Sequence, residues 1–243
     1  MNGMTPQVKR LYVYKLDHDV GMNPNPFGGY CTLTYCKALM RSAIAKYITE
    51  RQNAQPAMTV DQMGIWVAGI AAKKLNDRTI ERYGHIIYAM QVTEILSHAQ
   101  YFNDRRFESK KLLVSKEEED IIETDEKHGF HFFRNNKEPR LCGDNQQKNL
   151  DMSCMGIGCE YVLVSDCFEY YGVESYRHLK LLDYLGLSEN DTLRGYRLYI
   201  KNSEKDIPYE FSEYIKNDFR NRKCLSRPTF SHPGFIIPSS MRP

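Results

Sequence analysis

Residues 8–16 (VKRLYVYKL) change side-chain character from one position to the next. An extended chain puts Leu11 and Val13 on one side and Tyr12, Tyr14 and Leu16 on the other, which predicts a first strand with two packing faces. Residues 17–29 (DHDVGMNPNPFGG) break that pattern. Pro24 and Pro26 stiffen the stretch and the paired glycines permit a tight turn, so an ordered loop is expected. Residues 30–35 (YCTLTY) read as a short strand. From residue 37 to about 53 the period becomes helical, with Met40, Ile44, Tyr47 and Ile48 near one face, and Pro56 ends the element.

Two apolar runs follow. Residues 64–72 (GIWVAGIAA) predict a buried strand, and residues 84–95 (GHIIYAMQVTEI) a second one, antiparallel to it across a charged connector. Ser97 is placed to cap a short helix toward Arg105. Residues 110–126 are acidic and poor in apolar side chains, which predicts a solvated loop. Residues 128–133 regain strand character, 134–151 read as polar loop and 161–165 as strand. Residues 174–187 carry helical spacing, 196–200 a last strand, and 207–219 a surface helix with Pro208 in its first turn. The irregular mix predicts an α+β class with a curved, mostly antiparallel sheet and flanking helices. One domain is expected over residues 1–219, then an extended basic tail over 220–243.

Composition narrows the partners. The 243 residues are 42% hydrophobic and 26% charged, with a formal net charge of +2, so the chain is neither disordered nor a polycation for coating nucleic acid. No stretch approaches the length of a membrane helix and the first residues lack an apolar signal core, so no membrane partner and a cytoplasmic location are expected. Most of the 7 cysteines are expected reduced. Cys31 with Cys36, and Cys154 with Cys159, fit buried thiols better than a zinc site. His128 and His131 would face opposite ways on a strand, so no metal is expected, and no dinucleotide or P-loop fingerprint calls for a cofactor.

The stretch NPNPFGGYCTLTYCK at residues 23–37 is too particular for a generic loop. WVAG at 66–69, IYAMQVTE at 87–94, YFNDRRF at 101–107, GDN at 143–145 and LVSDCFEYYG at 163–172 follow it in order. Together they resemble the nucleotide-modification-associated domain, type 2, of bacteria and their phages, over most of the chain. There are departures: GIW stands at 64–66 where Gly-Asp-Trp is expected, Ala38 stands where proline is expected, and residues 47–62 read as an insertion. The resemblance implies association with DNA modification and related conflict systems, and no particular reaction. By analogy of fold alone, the glycine-turn-strand pattern is also similar to PUA-like barrels.

The candidate chemistry is recognition of a base. Tyr30 or Trp66 offers a ring for stacking, and Asn23, Asn25 and Asn145 offer amides for a base edge. Tyr88, Arg106 and Asp144 complete the expected ligand contacts, with Arg106 suited to a phosphate. Each has a plainer role: Asn and Asp cap turns, Trp66 fills a core, Tyr88 lines pocket or core, and Arg106 joins a solvated ion-pair cluster. Arg220, Arg222, Lys223 and Arg227 are expected to touch a nucleic-acid backbone or to be solvated. The first expectation is therefore a nucleotide- or nucleic-acid-binding protein of a DNA-modification or phage-conflict system that recognises a base, plain or modified. One alternative is an enzyme of nucleotide or base modification using Asp17, Asp19 or Asp144, or a thiol such as Cys31 or Cys36 with His85. The other is an interaction subunit with no ligand site.

Overall fold

The computed structural model describes residues 10–17, 19, 24–34, 37–75, 78–79, 83–110, 121–125, 130–135, 138–141, 161–188, 195–202 and 205–221. The alternating segment forms β1 (Arg10–Leu16), and the two apolar runs form β3 (Ile65–Ala71) and β6 (Ile86–Gln91). With β12 (Cys167–Tyr170) and β13 (Arg197–Ile200) they build a five-stranded sheet of order β12-β6-β3-β1-β13. β1 runs parallel to β3, and every other neighbouring pair is antiparallel. The sheet is open, ending on β12 and β13, and is not closed into a PUA-like barrel. The class is the expected α+β.

The alternation in β1 divides the core. On one face Tyr12, Tyr14, Val67, Tyr88, Met90 and Tyr170 pack with Met40, Ile44, Tyr47 and Ile48 of α1 (Ala38–Ala54). On the other, Leu11, Val13, Trp66 and Ala68 pack with Phe211 and Ile215 of α4 (Ile207–Asn221) and with the short α3 (Leu181–Tyr184). A second sheet, β2-β11-β7, consists of β2 (Cys31–Leu33), β11 (Tyr161–Ser165) and β7 (Glu94–Ser97), all antiparallel. β7 runs into α2 (His98–Asn103), where Ser97 makes the expected cap. β4 (Lys74–Leu75) pairs with β5 (Arg78–Thr79), and β8 (Ile121–Asp125), β9 (Phe130–Asn135) and β10 (Glu138–Leu141) form a separate antiparallel sheet.

Four expectations need correction. The single strand over 84–95 is two strands in different sheets, because Val92 N–H donates to Ile65 O at 2.8 Å whereas Thr93 N–H donates to Val164 O at 3.0 Å. The helix over 174–187 is a 3-10 turn (Gly172–Arg177) followed by α3. Ile86 N–H donates to Leu179 O at 3.0 Å, tying the segment between them to the start of β6, and His178 there is extended. The acidic loop over 110–126 contains β8, and the polar loop over 134–151 contains β10, both held by pairing with β9. Helix α4 runs to Asn221, and Phe211 and Ile215 bury one face of this surface helix. Among the described residues no helix is long and apolar enough to cross a membrane.

Candidate functional site

Tyr14 on β1 is opposite Gly69 on β3, Gly69 is opposite Tyr88 on β6, and Tyr88 is opposite Tyr170 on β12. The register thus lines up three phenols and one glycine in a row across the sheet, on the face that α1 covers. Gly69 makes the row possible. A Cβ there would collide with Leu16 Cδ1 and Tyr88 Cε1, so the Tyr88 ring occupies the space a side chain would need. The Tyr14 and Tyr88 hydroxyls meet at 2.7 Å, with the rings edge-on at 6.1 Å.

Asp19, from the loop after β1, closes the row. The Tyr170 hydroxyl donates to Asp19 Oδ1, and the carboxylate residue is only 1% exposed. Burial first, then the Asp19 charge and hydrogen bond, hold the Tyr170 phenol well above its ordinary value, so it remains a neutral donor at neutral pH. Cys31 of β2 lies in the same core cluster. Lys37, just before α1, places its Nζ 5.2 Å from the centre of the Tyr14 ring. Its φ of 56° is left-handed, and among the described residues no other non-glycine side chain has a positive φ. Such a conformation costs about 1–2 kcal/mol. The row sits toward the carboxyl ends of the parallel pair β1 and β3.

The anticipated residues fall in several places. Tyr88 and Asp19 belong to the row. Asn25 is bridged to Thr32 and its Oδ1 accepts from Phe27 N–H at 3.2 Å, the turn-capping role. The turn itself passes through Gly28 and Gly29, both at positive φ. Tyr30 packs edge-on to Phe107 at 5.6 Å on the far side of β2, where Thr32 Oγ1 meets Tyr101 OH at 3.3 Å. Arg106 lies 5.5 Å over the Tyr30 ring. Its guanidinium donates to Glu94 at 2.8 and 3.0 Å and to Asp104 at 2.9 and 2.6 Å, so a phosphate would have to displace a carboxylate. Those bonds, Glu94 first, raise the Arg106 pKa, and Arg106 in turn lowers that of Asp104.

Trp66 is 0% exposed on the opposite face, edge-on to Phe211 at 6.0 Å, so it cannot share a stacking site with Tyr88. Asp17 is exposed at the end of β1. Cys31 is buried in the core, and His85 Nδ1 lies 3.1 Å from the His178 carbonyl. Asn23, Asp144, Asn145, Arg222, Lys223, Arg227, Cys36, His128 and the Cys154/Cys159 pair lie outside the described residues, and Arg220 is on the last turn of α4. Among the described residues no group of three or more His, Cys, Asp or Glu side chains is placed to hold a metal ion. Tyr14, Tyr170 and Lys37 went unrecognised as site residues. A row across strands depends on register, and the one local sign was a glycine inside an otherwise bulky strand.

An open α+β sheet carrying a polar row on one covered face defines a small mixed-sheet domain. The family model for nucleotide modification associated domain 2 matches residues 8–49 and 52–231, and the chain belongs to that family. Neither a curated protein nor a solved structure matches it.

Proposed function

We propose that this chain binds a nucleotide, or a nucleobase within nucleic acid, as part of a nucleotide-modification system. One observation carries the reading: three phenols and a carboxylate, from four separate segments, meet in one row on the sheet. Burying a carboxylate and three hydroxyls is expensive compared with an apolar core of the same volume, and a ligand site gives that expense a use. Membership of a family named for association with nucleotide modification supports a nucleotide as the class of ligand.

The test is equilibrium binding of nucleosides, nucleoside monophosphates and short single-stranded DNA to the full chain. Binding is expected, and Tyr88→Phe should weaken it by about tenfold, the worth of one hydrogen bond. An absence of binding across the panel refutes the proposal. Catalysis on the same ligand is the second reading, favoured by the Asp19–Tyr170 contact, which suits acid–base work. It requires turnover that Asp19→Asn abolishes.

A further inference from the structure

Arginines rest on tyrosine rings at several places on the molecule. Arg106 lies over Tyr30 and Arg177 over Tyr176, and each is already neutralised: Arg106 by Glu94 and Asp104, Arg177 by Glu174 at 2.8 Å. Tyr47 of α1 differs. The Arg10 guanidinium carbon lies 3.7 Å from its ring centre, and that of Arg51 lies 5.3 Å from the same centre. Among the described residues neither arginine has a carboxylate partner. The groups that act on Arg10 are the hydroxyls of Tyr12, at 3.4 Å, and of Tyr47. Nearby acids do not cancel the pair. Glu50 faces Lys46 at 3.9 Å, and Asp61, in the turn whose Gly64 carbonyl accepts from Arg10 N–H, is ion-paired with neither arginine.

Two full positive charges at one ring repel each other, and the negative face of the ring offsets only part of that. Arg51 stands in the last turn of α1, where the helix dipole favours a cation. That accounts for one arginine and not for the other, which comes from the start of β1. Alternation along β1 puts Arg10, Tyr12 and Tyr14 on the face that α1 covers, so the strand delivers Arg10 to Tyr47. Tyr47 is buried, whereas Arg51 is exposed and Arg10 half-buried, so solvent reaches both cations and no cover has to move. A guanidinium stacked on a ring keeps its N–H edge for an oxyanion, and the fork matches the oxygens of a phosphate.

We propose that Arg10 and Arg51, gathered on Tyr47, form a phosphate-binding subsite for the nucleotide or nucleic-acid strand. The proposal rests on the nucleotide reading and adds where the charged part of the ligand is held. Arg10 precedes Tyr14 by about 13 Å of extended chain, so the subsite lies beyond one end of the tyrosine row.

The experiment titrates the full chain with the same nucleosides, nucleoside monophosphates and short single-stranded DNA, at several salt concentrations. Arg10→Gln and Arg51→Gln should each weaken binding of the phosphate-bearing ligands by about threefold or more and leave the nucleosides unaffected. For single-stranded DNA each should also flatten the dependence of log affinity on log salt by about 0.7, the share of one phosphate contact. Arg177→Gln, which alters an arginine with its own carboxylate, should change neither quantity. A loss shared by monophosphate and DNA assigns the subsite to a nucleotide's own phosphate, and a loss with DNA alone assigns it to the strand backbone. Should Arg10→Gln fail to fold, Arg51→Gln, at an exposed position, decides. Unchanged affinity and salt dependence in folded Arg51→Gln, an equal loss for nucleosides, or the same change in Arg177→Gln overturns the subsite while leaving nucleotide binding intact. No binding of any ligand overturns both readings.

Discussion

Gly69 shows how one missing side chain organises its neighbours. Its place between Tyr14 and Tyr88 is filled by the Tyr88 ring, which brings two phenols from strands that are not adjacent within hydrogen-bond reach. Gly69→Ala forces a methyl group against Leu16 and Tyr88 and should destabilise the fold by about 1–3 kcal/mol, the usual cost of overpacking. Chemical denaturation measures that loss, and unchanged stability would show the space to be yielding. The residue scale also separates Tyr30 from Tyr88. Both are tyrosines beside glycine-bearing segments, yet Tyr30 packs on Phe107 under an arginine already shared by two carboxylates, whereas Tyr88 lies in the row.

At the scale of elements, local signals determine what the sequence discloses. The cap on α2 is reciprocal: Gln100 N–H donates to Ser97 Oγ at 3.1 Å and Ser97 N–H donates to Gln100 Oε1 at 2.8 Å. Ser97→Ala removes one half of it and should cost about 1 kcal/mol in urea denaturation, with Ser97→Thr retaining most of the stability. That helix, α1 and the paired strands β3 and β6 were legible because cap residues and hydrophobic period act within a few positions. The break after Gln91 was not, since Val92 and Thr93 take their backbone partners from Ile65 and Val164, distant in the chain. Leu179 and Leu182 have helical spacing, but their backbones bond to Ile86 and Gly84 instead of continuing one helix. The candidate site was half legible for the same reason. Asp19 and Tyr88 could be singled out individually, whereas their alignment with Tyr14 and Tyr170 exists only in the sheet register.

For the whole molecule, buried phenols on both faces of the sheet tie stability to alkaline pH. Burial is the leading cause that raises Tyr12, Tyr101, Tyr170 and Tyr171 above the ordinary 10.0. A raised folded value means the native state keeps its protons while the unfolded chain loses them. Their contribution is thus complete below pH 10.0 and declines as pH climbs beyond it. Thermal denaturation across roughly pH 8 to 11 should show a falling midpoint above pH 10, with the buried share of the tyrosinate absorbance appearing together with unfolding. Full ionisation of the tyrosines near pH 10 in a still-folded chain would contradict it.

Trp66 gives the protein a reporter of its own. The chain has 1 tryptophan, and its indole is wedged between the sheet and Phe211 of α4, on the face away from the tyrosine row. Its fluorescence follows the attachment of a single helix, and a red shift in its emission signals that this helix has come off. A titration that leaves this emission unmoved leaves α4 docked, so the unlabelled protein reports on that face alone.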